Sequence, residues 1–264
     1  MRSARVNGGR EHAPAGIPLV AVAHGSADPR SAATVEALFA RVRRLRPGLD
    51  VRVSYLDHVA PDPHAAVAGL AAEGAGEVVV LPALLTAAYH SKVDLPRVLE
   101  RVRADFPWLR VRYADPLGPH PLLLDAVERR LAEAGAVAAP DTALVLASAG
   151  SSDAHANAVV EAAARELAAR GPWREVRAAF ASAASPRPEE AVRAAHAAGA
   201  ARVAVASYLL APGFFADRVR ARSLEAGAHV VSAALGESPE LAEVVLHRYD
   251  AAVRAKYVPG PVAR

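Results

Sequence analysis

The stretch PLVAVAHGSADPR, residues 18–30, returns as ALVLASAGSSDAH at residues 143–155, displaced by 125 positions. Each copy is an apolar run that closes on a Gly-Ser pair and an aspartate, the pattern of a buried strand running into a helix. The correspondence continues outward without a gap: VSYLDHVAPDP (53–63) falls on AAFASAASPRP (178–188), and GAGEVVVLPALL (74–85) on GAARVAVASYLL (199–210). Strands are expected near 18–23, 51–56, 77–84 and 109–113, each followed by a helix-period segment at 31–45, 63–74, 94–105 and 120–134. The second half repeats the order, with strands near 142–148, 175–180, 202–209 and 229–234 and helices near 153–170, 187–199, 215–226 and 238–255. Strictly alternating strands and helices predict an α/β fold, a parallel sheet with helices on both faces, here made twice. An ungapped register through three strand–loop junctions marks an internal duplication. The expected organisation is a tail at 1–16, a first domain at 17–136, a second at 137–257 and a tail at 258–264.

Composition narrows the chemistry. The 264 residues are 53% hydrophobic, enough for one large core or two ordinary ones. There are no cysteines, so disulfides, thiolate ligands and cysteine nucleophiles are all excluded, and any metal must be held by His, Asp, Glu or backbone oxygen. No apolar run approaches the ~20 residues of a membrane span. The first residues are polar and basic, carrying Arg2, Arg5, Arg10, Glu11 and His12, and read as a tail on a cytoplasmic protein with no membrane partner. The formal net charge is only +3, and the lysines are Lys92 and Lys256 alone. Arginine suits bidentate recognition of carboxylates, so an acidic small molecule accounts for the bias. No basic run interleaved with aromatics supports a nucleic-acid partner.

Three polar residues stand just past strand ends in the first half: His24, Asp57 and His90. The carboxyl edge of a parallel sheet is where ligands bind in open α/β folds. Two imidazoles and a carboxylate converging there make a site for a divalent ion such as Fe²⁺, Co²⁺ or Zn²⁺. The second half supplies an internal control. At the same displacement His24 becomes Ala149, Asp57 becomes Ser182 and His90 becomes Phe215, while Gly25, Ser26, Asp28, Pro61, Pro63 and Gly74 keep their counterparts. Joint loss from a preserved frame points to joint function rather than packing. His58, His120 and His155 read as loop residues.

The AHGS turn after the first strand, YLDHVAPDP after the second and LPALLTAAYHSKVDLP after the third resemble the sirohydrochlorin chelatases, the class II ferro- and cobaltochelatases of the CbiX and SirB type. The resemblance covers roughly residues 17–257. It implies two tandem flavodoxin-like lobes with a cleft between them, in which a divalent metal enters sirohydrochlorin without ATP. It implies that His24 and His90 are the metal-binding and catalytic histidines. Asp57 takes the place where the family more often has glutamate, reaching the ion directly or through water. No permanently bound cofactor is expected; Fe²⁺ or Co²⁺ enters as substrate.

Such chemistry asks for groups that bind a borderline metal weakly and accept protons near neutral pH, which imidazole does. The substrate's eight carboxylates ask for anion contacts. Gly25 and Ser26 at a strand-to-helix turn, Lys92 beside His90, and Arg218 and Arg220 in the second half are the candidates. With both lobes in one chain a monomer is expected. The leading reading is a ferrochelatase of sirohaem biosynthesis, with a cobaltochelatase of cobalamin biosynthesis as the alternative. From another class, a non-enzymatic metal or tetrapyrrole carrier would use the same site without turnover.

Overall fold

The computed structural model describes residues 16–86 and 95–256. The first half runs β1 (Leu19–Ala23), α1 (Pro29–Leu45), β2 (Val51–Tyr55), α2 (Pro63–Ala72), β3 (Glu77–Pro82), α3 (Leu95–Asp105), β4 (Arg110–Tyr113) and α4 (Pro121–Glu133). The second runs β5 (Thr142–Ser148), α5 (Ala154–Arg170), β6 (Glu175–Phe180), α6 (Pro188–Ala197), β7 (Arg202–Tyr208), α7 (Phe214–Glu225), β8 (Val230–Val231) and α8 (Pro239–Arg254). Each half builds a four-stranded parallel sheet, ordered β2-β1-β3-β4 and β6-β5-β7-β8.

The central strands are buried on both faces, and their alternation sorts the side chains. In β1, Leu19, Ala21 and Ala23 face one core while Val20 and Val22 face another; in β5, Leu144 and Leu146 are set against Ala143, Val145 and Ala147. Helices α2 and α3 cover the outer face of the first sheet, and α6 and α7 that of the second. The inward rows of both sheets belong to one continuous apolar core with α1, α4, α5 and α8. Helix α1 shows how the sequence arranges this: Asp28 caps its start and Pro29 opens it, and Val35, Leu38, Phe39 and Val42 recur along one buried stripe.

The last helix of each half crosses to the other. Helix α8 lies on β3 and β4 of the first sheet and beside α1, while α4 lies on β7 of the second, and the two helices pack together. Polar contacts fix the exchange. Arg112 of β4 donates to the carbonyls of Ala252, Val253 and Ala255 at the end of α8. The Tyr249 hydroxyl donates to the carbonyl of Ile17 at 2.8 Å, and Arg46 pairs with Asp250.

The elements fall where the periodicity places them, with one shortening. The eighth strand, expected over 229–234, is a strand only at Val230–Val231. Beyond it Ser232 and Ser207 replace ladder bonds with side-chain ones: the Ser207 N–H donates to Ser232 Oγ, and Ser207 Oγ–H to the Ser232 carbonyl.

Candidate functional site

The carboxyl ends of β1 and β5 open on a shared cavity of about 730 Å³ between the lobes. Its first-lobe wall includes His24, Gly25, Ser26, Tyr55 and His58; its second-lobe wall includes Ser148 to Ser151, Ser182 and the run Tyr208 to Ala216.

The two walls share one backbone design. The Asp57 N–H donates to the His24 carbonyl, as Ser182 N–H does to Ala149. Gly25 has φ +90° and Gly150 φ +82°, and His58 (φ 62°) and its counterpart Ala183 (φ 56°) are both left-handed. Both glycines are required by close approach: a β-carbon at Gly25 would lie 1.8 Å from the Asp57 carbonyl oxygen, and one at Gly150 2.0 Å from that of Ser182. The duplication therefore extends to the geometry of the loops.

The side chains then diverge. In the second lobe the turn is satisfied from within: the Ser151 N–H donates to Asn157 Oδ1 at 3.0 Å and the Gly150 N–H to Ser148 Oγ at 3.4 Å. The first lobe has Ala32 and Ala23 at those places. Neither can accept a hydrogen bond, and among the described residues the Gly25 and Ser26 amides have no partner. Ser26 Oγ accepts from the Asp28 N–H at 3.1 Å, and Asp28 in turn caps α1 by accepting from the Arg30 N–H. Hydrogen bonds from Arg30 hold the Asp28 carboxyl below the usual carboxylate range. Arg30 also reaches across the cavity rim to Asp217 of α7 at 2.5 Å, an ion pair between the lobes.

His24 is exposed and lines the cavity. Asp57 lies beside the mouth, 62% exposed, and is not a lining residue. Its carboxylate engages His58, accepting from the His58 N–H at 2.8 Å through Oδ1 and standing 3.3 Å from His58 Nε2 through Oδ2. His58, which the sequence presents as a loop residue, lines the same cavity as His24. The signal for it was its position beside Asp57; its left-handed backbone is uncommon outside glycine, and the matching Ala183 adopts it too, so the loop's packing rather than the residue type sets it. Among the described residues no three His, Asp or Glu side chains converge on one point. His90 and Lys92 lie outside the described residues. The counterpart of His90, Phe215, is at the cavity wall with Phe214.

The expected cationic clamp falls elsewhere. Arg218 is exposed on α7 and lines no part of this cavity. Arg220 lines a neighbouring hollow of about 500 Å³ and donates to the Val231 carbonyl at 3.1 Å. The described lining of the main cavity is neutral apart from its imidazoles. Two phenols are buried in it. Burial, with Glu36 adding to it, pushes Tyr55 up to about 12, and burial raises Tyr208. Both are hydrogen-bond donors at neutral pH rather than bases, and among the described residues the Tyr55 hydroxyl has no partner.

Known proteins share this fold. The CbiX family model matches residues 18–134 and 143–252. A sirohydrochlorin ferrochelatase of Priestia megaterium is 26% identical over 242 residues, covering 89% of this chain and 90% of that one. A sirohydrochlorin cobaltochelatase of the same organism is 28% identical over 201 residues, covering 75% of this chain and 65% of the relative. The solved structure of SirB from Bacillus subtilis with Fe³⁺ has the same fold, with a TM-score of 0.80 at 23% identity over 90% of this chain and 95% of that one. With matches over both halves of a duplicated chain, this protein belongs to the CbiX family.

Proposed function

We propose that this protein is a sirohydrochlorin chelatase, a lyase-class enzyme that inserts a divalent metal into sirohydrochlorin without ATP. The observation that carries the reading is the asymmetry of one duplicated frame: His24 and His58 line the cavity on the first wall, where the second lobe has Ala149 and Ala183 at the matching places.

Insertion removes two pyrrole N–H protons and the hydration shell of the ion while four ring nitrogens take the metal. His24 and His90 receive the ion and accept those protons. Asp57 acts through His58, whose imidazole its carboxylate touches, so that the carboxylate orients a ring and balances its charge when it is protonated. A site of few ligands and open positions passes the metal on, where a closed tetrahedral site would retain it. The unpartnered amides of Gly25 and Ser26 hold one substrate carboxylate, Lys92 a second, and Arg218 and Arg220 belong to outlying carboxylate arms. Both walls come from one chain, so the monomer is the working unit, in the cytoplasm.

Iron is the first choice, because the ferrochelatase relative matches over nine-tenths of both chains, and cobalt the second. Metal-free sirohydrochlorin mixed with Fe²⁺, Co²⁺ or both, and followed by its visible spectrum, tests the proposal. More than one metallated product per protein molecule is expected; a carrier stops at one equivalent. His24→Ala should lower turnover by roughly 10²- to 10⁴-fold. Full activity in that variant removes His24 from the mechanism.

A further inference from the structure

The metal approaches one face of a flat ring, and the other face needs support that does not ligate. We infer that Phe214 and Phe215 form an aromatic platform for the tetrapyrrole on the second-lobe wall, an inference that rests on the chelatase reading and extends it.

The chain has five phenylalanines, and two stand side by side at the start of α7. They are 70% and 38% exposed. The other exposed large apolar residues among those described, such as Trp108 and Val137, are away from the cavity, whereas both of these line it. An exposed apolar pair at the wall of a cavity marks a ligand surface. The rings meet edge to face, with centroids 5.5 Å apart and planes at 68°, so each steadies the other while leaving aromatic surface uncovered. The chain before them, Leu209 to Gly213, continues the same apolar wall. Tyr89 and His90 are their counterparts in the first half. The duplicated position thus carries an imidazole in one lobe and a benzyl group in the other. Phenylalanine offers a π face and no lone pair, so it supports the macrocycle without competing for the ion.

The test is a titration of the full-length protein with metal-free sirohydrochlorin, read by its visible absorbance, together with steady-state kinetics. Phe214→Ala and Phe215→Ala should each weaken binding roughly 10-fold. KM should rise with kcat nearly unchanged, and Phe215→Trp should keep wild-type affinity. Phe215→Leu, which keeps apolar area without a π face, should bind more weakly than wild type. His24→Ala should show the opposite split, with binding retained and turnover lost. Wild-type affinity in the double alanine variant, or in Phe215→Leu, overturns the platform and leaves the chelatase reading standing. Failure of the wild-type protein to bind sirohydrochlorin overturns both.

Discussion

Gly25 and Gly150 do the same work at the same place in two lobes, one of which carries imidazoles. A β-carbon at either would collide with a carbonyl oxygen and force a left-handed φ on alanine. Gly25→Ala and Gly150→Ala should therefore each cost about 2 kcal/mol or more in urea unfolding. Only Gly25→Ala displaces the loop holding Asp57 and His58, so it should also depress metal insertion well below the Gly150 variant. Equal activities would show that this loop does not serve the reaction. Tyr55 makes the reverse case: its hydroxyl is buried without a partner among the described residues, and Tyr55→Phe removes that burden while keeping the ring. The variant should be more stable by about 1 kcal/mol, measured by chemical denaturation, and a loss of stability would mean the hydroxyl has a partner in solution. At this scale the sequence reveals His24 because its copy is missing from an otherwise intact repeat. It hides His58, since the conformation that turns this residue into the cavity is set by tertiary packing rather than by local pattern. It also shows Phe215 only as the loss of a histidine, because nothing in a linear repeat says which wall a replacement residue faces.

The seam between α4 and α8 carries a titratable pair. His120 caps α4, its Nδ1 accepting from the Leu122 N–H at 3.2 Å, so its proton sits on Nε2, 3.4 Å from Nδ1 of His247 on α8. Burial, then the charges of Arg248 and His247, lower the His120 pKa against an opposing pull from Asp125. A histidine whose folded value is depressed takes its proton first in the unfolded chain. Stability from this group is therefore complete above the ordinary value of about 6.5 and is lost as pH falls below it. His120→Asn keeps a good cap without the titration and should flatten the change in melting temperature between pH 7 and pH 5. An unchanged pH profile would assign that loss to other groups. The helices themselves are readable from the sequence, because apolar residues recur along α1 and α8 and prolines open them. Which sheet each helix covers is not, since a hydrophobic stripe specifies that a face must be buried and leaves its partner open.

Across the whole molecule, exchange of α4 and α8 gives the two sheets one core in common. A chain ending at residue 136 lacks the helix that covers β3 and β4 and displays an α4 with no sheet to rest on. Expressed alone, it should lose near-ultraviolet circular dichroism and bind a hydrophobic dye, and co-expression with residues 137–264 should restore both signals. A well-packed, dye-silent fragment would show that the exchange is dispensable. The α/β class and the duplication follow from the repeat in the sequence, and the cleft between the lobes from the family resemblance; the crossing of the last helices follows from neither, because equivalent segments look alike whichever half they serve. The exchange also limits how a ligand reaches the cavity between the lobes. Opening the molecule like a hinge would drag each sheet away from a helix anchored in the opposite half and tear buried apolar surface apart. Entry and release must therefore be managed by the rim, where the link from Arg30 to Asp217 is exposed and can part at little cost.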